Sequence, residues 1–402
     1  MPEGAATANG GTRQQRAADA ESSAEFVAFR RSYLAAFLCA SGSDWLKGPY
    51  IYRLYEARGF AAHEITLLFA TGYMSSAFFG LIAGMMTDAL GRRRMCLCFC
   101  ALYTLHCAMH ALSSLWVLLL ARAVSGVATA LLFSAFEAWM VAEHGRRFPG
   151  GDLAKVFALQ TQGNALVAVA AGTVAQGAVW IAGYAAPFAV ALPLLAYCSY
   201  EVCKWPENVG NGQGNLRAVA KSALATMDTV VARVGMLQCI FEASMHVFVF
   251  LWTPCLQRGG LRVPHGLIFS LYMLCMMLGG RACSSGLRPS LGLVFAISAC
   301  CLMVPSVSEA LWCNLAAFCC FECCVGCYFP QIAFLRSQHL REESRSATMT
   351  LFRVPFNCIV VAVLIWGRSS PPQVLLGCAS CALLLGAAMH RTLPPEAARK
   401  AQ

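Results

Sequence analysis

Eight ionisable side chains stand inside long apolar stretches of the chain: Asp44, Lys47, Arg122, Glu137, Glu242, His246, Glu322 and Arg353. A charge near the centre of a bilayer costs at least about 2.5–3.5 kcal/mol on insertion scales, so each is a functional candidate by default. Arg353 precedes Pro355 in FRVPF, where the proline frees a backbone carbonyl and bends a helix. A guanidinium there either caps the freed carbonyls or offers its planar fork of donors to an oxyanion. Asp44 and Lys47 are three residues apart and Glu242 and His246 four, so each pair shares a helix face. Asp44 also lies at a depth similar to Arg122, and the expected cross-helix ion pair joins those two. Glu137 and Glu322 serve either as structural anchors or as proton carriers. No nucleophile elbow, Walker loop or His-Glu-x-x-His helix occurs, which sets enzymes and ATP coupling aside. No cofactor or metal is expected.

The elements that must hold these residues are membrane spans. Charged residues make up 12% of the 402 and apolar ones 58%, against a usual charged share of about 25%. Apolar runs of about 20 residues match a ~30 Å hydrocarbon core. They fall at 31–52, 64–90, 95–113, 115–142, 153–180, 183–203, 233–256, 265–284, 290–306, 309–335, 346–367 and 372–390. The expected class is an all-α membrane protein with both termini cytoplasmic. The third, sixth and ninth spans carry no charge in their interiors and are expected to face lipid or to act as supports. Residues 1–29 have no apolar core, so they read as a disordered cytoplasmic tail rather than a cleavable signal. The net charge of +10 would suit nucleic acid, but its distribution argues otherwise. Only Arg53, Arg58, Arg258, Arg262 and Arg368 fall in outer turns, and Lys47, Arg122 and Arg353 within spans; the other Lys and Arg are on the cytoplasmic side. That is the positive-inside bias, and no nucleic-acid partner is expected.

Between the second and third spans lies GMMTDALGRRR, from Gly84 to Arg94. Its glycines, Gly84 and Gly91, allow close backbone approach at a tight turn, and Arg92, Arg93 and Arg94 hold the turn on the cytoplasmic side. Asp88 sits at a helix C-terminus, where the macrodipole disfavours an anion. It is therefore expected to serve an arginine or the N-terminal end of a neighbouring helix. The motif in this position resembles the loop between the second and third helices of the major facilitator superfamily.

That resemblance implies two six-helix halves, here 30–203 and 233–390, with cytoplasmic tails 1–29 and 391–402. The linker 204–232 is broken by Pro206, Gly210, Gly212 and Gly214, and an amphipathic helix follows on the inner leaflet. A faint repeat supports the halves: Phe133-x-x-Phe136-Glu137 against Phe318-x-x-Phe321-Glu322. In the superfamily the first, fourth, seventh and tenth helices line the central cavity, and here each carries a carboxylate. The 22 cysteines fall mostly within spans, where free Cys is a small packing residue. The run Cys319 to Cys327 also invites a soft-metal reading.

Five stretches in order resemble the molybdate-anion transporter family of eukaryotic major-facilitator type: DWLKGPYIYRLY, ALLFSAFEAW, FEASMHVFVFLWTP, GCYFPQIAFLR and FRVP. The short central loop, short C-terminal tail and dense cysteines of the tenth span depart from it. The resemblance implies uptake of molybdate, a tetrahedral dianion, by a monomeric secondary transporter of the plasma membrane. A transporter of another solute, or a non-transporting receptor of the same fold, stays open. With molybdate as cargo, the substrate-binding candidates are Lys47 and Arg353, with Arg122 held by Asp44. Asp44, Glu137, Glu242 and Glu322 are the ion-pairing or proton-coupling set. Gly84, Asp88, Gly91, Arg92 and Arg93 form the gate, in which Asp88 is expected to face the start of the eleventh span near Ala347.

Overall fold

A computed structural model describes residues 24–149, 152–210, 227–257, 263–285, 289–340, 345–367 and 370–393. All the regular structure described is helical. In chain order the helices of the first half are α1 (Ala24–Lys47), α2 (Ile51–Ala57), α3 (Ala62–Leu90), α4 (Arg92–Met109), α5 (Leu115–Leu132), α6 (Ala135–Arg147), α7 (Leu153–Ala182) and α8 (Ala186–Cys203). The second half holds α9 (Thr229–Leu256), α10 (His265–Ser284), α11 (Leu291–Val307), α12 (Leu311–His339), α13 (Arg345–Gly367) and α14 (Pro372–His390).

Two pairs are broken spans. Gly48 and Pro49 separate α1 from α2, since proline disfavours a helical residue before it. Phe133 and Ser134 separate α5 from α6, and the Ser134 hydroxyl donates to the Ala130 carbonyl at 2.8 Å, competing with the backbone ladder. Counting each pair as one leaves twelve segments in the expected order. Seven spans are long and apolar enough to cross a membrane by those measures alone, or eight with the bent α3. The others carry polar work or are short: α1 holds Arg30, Arg31, Asp44 and Lys47, and α4 opens on three arginines.

The two halves pair their helices in the same way. Helices α3 and α5, the second and fourth spans, pack together as do α10 and α12, the eighth and tenth. Likewise α1 packs on α8 and α7, matching α9 on α14 and α13. Between halves the main contacts are α7 with α10 and α3 with α13. At the α7–α10 crossing Tyr50 donates to Gln176 (2.6 Å), and the Gly266 amide donates to Gln176 (3.1 Å) and Tyr50 (3.2 Å). Ser270 donates to the Val169 carbonyl at 2.7 Å. These bonds join the halves at the end of the bundle away from the Gly91 loop.

Three expectations change. Helix α1 begins at Ala24, inside the stretch read as tail, because Phe26 and Phe29 are buried against Phe148. Helix α9 begins at Thr229, inside the stretch read as linker, because Asp228 accepts from the Val230 and Val231 amides (2.9 and 2.7 Å) and caps it. The rest of the expected amphipathic helix lies largely outside the described residues. The third span, α4, faces inward along Tyr103, His106 and His110, all fully buried.

Candidate functional site

The loop after α3 is built from Gly91 outward. Gly91 has φ +102, a conformation that strains any residue with a Cβ, and a Cβ there would meet the Glu207 carboxyl at 2.8 Å. Glu207 accepts from the Arg93 amide at 2.9 Å and the Arg94 amide at 3.2 Å, so it satisfies orphan donors at the start of α4. The Arg92 amide donates to the Asn208 carbonyl at 3.0 Å, and the Gly210 amide to the Asp88 carbonyl at 2.9 Å. Asp88 takes an arginine: Arg92 Nη2 and Nε lie 2.7 and 3.0 Å from its Oδ1. Its expected contact with the start of the eleventh span falls on side chains outside the described residues. The close approach expected at Gly84 is not seen, because a Cβ there would meet nothing within 4 Å among the described residues.

Deeper in the first half, the Asp44–Arg122 pair is replaced by another. Lys47 Nζ lies 3.0 Å from Asp44 Oδ1, Tyr103 donates to the same oxygen at 2.5 Å, and the ammonium rests 4.2 Å from the centre of the Tyr103 ring. The i, i+3 spacing on one helix makes this pairing shorter than any route across to α5. Lys47 is thus neutralised. Arg122 has no carboxylate at ion-pair distance among the described residues and is 8% exposed. Its Nε donates to the Leu68 carbonyl at 3.1 Å, and its guanidinium lies 5.1 Å from the Phe69 ring. Its two Nη atoms carry no hydrogen bond among the described residues, yet they are not sealed from accessible space.

Around Arg122 the halves meet through aromatic side chains. Phe69 packs on Phe250 at 5.2 Å, Tyr52 on Phe250 at 5.8 Å, and Tyr73 on His246 at 5.1 Å. His246 also packs on Phe356 of α13 at 4.9 Å, and its Nδ1 bonds the Glu242 carbonyl at 2.8 Å. With Nδ1–H committed, the neutral ring presents Nε2 as an acceptor. Arg122 thus lies beside Phe69, whose ring meets Phe250 across the seam between halves.

The remaining candidates are dispersed. Glu242 accepts from Tyr328 at 3.4 Å. Glu322 is 4% exposed, and its Oε2 has no hydrogen bond among the described residues; the Tyr272 hydroxyl on α10 is in the same condition. Glu137 is exposed while its repeat counterpart Glu322 is buried, so the Phe-x-x-Phe-Glu repeat sets two different environments. The Arg353 side chain lies outside the described residues. Cysteines of the Cys319–Cys327 run spread around α12, and among the described residues no three His, Cys, Asp or Glu side chains are placed to hold a metal. A cavity of about 570 Å3 lies at the Tyr50 end, lined by Arg53, Glu56, Tyr184, Gln257 and His265 among others, and does not include Arg122.

Sequence reasoning passed over Tyr103, His106, His110 and Gly72. His110 Nε2 pairs with the Tyr55 hydroxyl at 2.9 Å, and His106 Nδ1 with the Ala121 carbonyl at 2.8 Å. The spacing of 103, 106 and 110 places all three on one helix face, which was the available signal.

The family described as sugar transporters with 12 TM matches residues 4–324. A molybdate-anion transporter of Xenopus tropicalis is 30% identical over 354 residues, covering 83% of this chain and 78% of that protein. One from Takifugu rubripes is 31% identical over 381 residues with the same coverage. Among solved structures, the nucleoside transporter NupG superposes with a TM-score of 0.70 at 13% identity, over 91% of this chain and 98% of that one. A POT peptide transporter in complex with sulfate gives 0.68 at 14% identity, over 92% and 94%. These relatives and neighbours are transporters, not enzymes, and the apolar helices make this a multi-pass membrane protein. With the paired six-helix halves and the Asp88–Arg92 loop in place, the chain belongs to the molybdate-anion transporter family, within the major facilitator superfamily.

Proposed function

We propose that the chain takes up molybdate across the plasma membrane as a secondary active transporter, by alternating access, with both termini cytoplasmic. The observation that carries the reading is Arg122: a guanidinium at membrane depth, beside the seam, with no carboxylate partner among the described residues and both Nη atoms uncommitted. An unpaired buried charge is costly, and a tetrahedral dianion that accepts on four oxygens and donates none offsets that cost. The printed name of the relatives supplies the substrate. Lys47 moves from ligand to scaffold because Asp44 already neutralises it. Arg353 stays a candidate second ligand from the opposite half, on its place beside Pro355. Tyr73 and Tyr52 offer neutral donors from the first half, and the bonds of Tyr50, Gln176 and Gly266 close the outer end. Their rupture as the halves rock would admit the anion from outside, while the Asp88–Arg92 loop moves at the inner end.

The test is molybdate flux into vesicles containing the purified chain, with a variant unable to change state as the blank. Saturable molybdate entry is the expected result. Entry of a hexose without molybdate would overturn the substrate, and binding without entry would make the protein a receptor.

A further inference from the structure

Arg122 reaches its position across α3, and the residue it crosses is Gly72. The Leu68 carbonyl that accepts from Arg122 Nε at 3.1 Å is also the helical partner of the Gly72 amide, by the i to i−4 pattern of an α-helix. The guanidinium therefore crosses one turn of α3. A Cβ at position 72 would stand 2.6 Å from Nη2, 2.9 Å from Cζ and 3.0 Å from Nε. The first two distances are closer than real Cβ contacts come, and the third is tighter than nearly all of them. The crossing of α3 and α5 is held close by separate means. A Cβ at Gly126, one turn beyond Arg122, would meet the Gly72 carbonyl oxygen at 2.6 Å and the Ser76 amide at 2.7 Å. Ser75 also donates to the Ala123 carbonyl at 2.6 Å.

We infer that Gly72 is a positioning residue for the anion site: its missing side chain is the notch that seats the Arg122 guanidinium and fixes the direction of the two free Nη donors. The inference rests on the reading of Arg122 as the anion-holding cation. Its physical content is a separation of effects. The atoms a Cβ at position 72 would displace are the far end of one flexible side chain, so the fold can absorb an added methyl by moving the guanidinium. At Gly126 the displaced atoms are backbone and the Ser75 Cβ fixed to it, and the helix crossing itself would have to open. Gly72→Ala should thus disturb ligand geometry with little effect on folding, whereas Gly126→Ala should disturb folding.

The experiment measures molybdate uptake as a function of concentration for the wild type, Gly72→Ala, Arg122→Lys and the double variant, alongside the amount of folded protein in the membrane. Misplacing a ligand-positioning group by about 1 Å costs up to roughly 100-fold. Gly72→Ala is accordingly expected to raise the half-saturating concentration about tenfold while maximal uptake and protein level hold. Arg122→Lys is expected to raise it as well, because a point charge replaces the fork. Adding Gly72→Ala to Arg122→Lys should change it by less than about twofold, since a slim ammonium does not need the notch. An unchanged half-saturating concentration in Gly72→Ala, with a raised one in Arg122→Lys, would overturn the notch alone. Equal effects of Gly72→Ala in both backgrounds would make it a general packing defect and also overturn the notch. An unchanged value in Arg122→Lys would overturn the anion-site reading and the notch with it.

Discussion

Replacing Asp44 by Asn separates the two roles open to Lys47. The Asp44 carboxylate accepts from Lys47 at 3.0 Å and from Tyr103 at 2.5 Å, and the Lys47 and Asp44 side chains are 11% and 25% exposed. Asp44→Asn keeps the shape and one acceptor but leaves the ammonium without a counter-charge at membrane depth. Breaking a buried pair from one side costs about 3–5 kcal/mol, whereas replacing both partners with apolar groups is often neutral. The single variant should therefore melt well below the wild type when purified in detergent, and Asp44→Asn with Lys47→Met should recover most of the loss. Because Lys47 is paired and Arg122 has no carboxylate partner among the described residues, the double variant should also keep a half-saturating molybdate concentration within about threefold of wild type, the usual scatter of context-dependent effects well short of a lost charged hydrogen bond. If Asp44→Asn melts like the wild type, the ion pair contributes nothing. If the recovered double variant has lost molybdate affinity, Lys47 is a ligand and the assignment of Arg122 is wrong.

Two further outcomes are expected, one from the geometry of the Asp88 loop and one from the place of Arg353 in the sequence. Asp88→Asn removes the charge that holds Arg92 at 2.7 Å and should slow uptake while leaving equilibrium binding of molybdate intact; lost binding in a folded variant would contradict a gating role. Arg353→Gln should raise the half-saturating concentration at least about tenfold at unchanged surface level if the guanidinium is the second ligand, given about 1.5–3 kcal/mol for a charged hydrogen bond. Unchanged affinity would leave Arg353 as the cap of the carbonyls freed by Pro355.

The architecture was readable because each span is a long apolar run broken by Gly, Pro or Arg, a signal set by bilayer thickness and not by tertiary contacts. The Asp88–Arg92 loop was readable for a similar reason, since its residues act within one turn of each other. The partner of Asp44 was not, although Lys47 shares its helix face: depth along the membrane gave Arg122 an equal claim, and only the lateral distance between α1 and α5 decides. Tyr103, His106 and His110 escaped notice because neutral polar residues look like lining or support until burial is known. Gly72 carries no motif at all. Its meaning comes from a side chain 50 residues further on in the sequence lying across it, and Glu207 likewise reads as a solvated linker charge until it is seen at the start of α4.

The most direct test of the site is equilibrium binding of molybdate to the purified protein, comparing the wild type with Arg122→Gln. Loss of a charged pair of donors of about 1.5–3 kcal/mol corresponds to roughly 10- to 150-fold in affinity. The account predicts a weakening in that range, with Arg122→Lys recovering only part of it, in proteins that melt like the wild type. Molybdate binding to Arg122→Gln with unchanged affinity would contradict it.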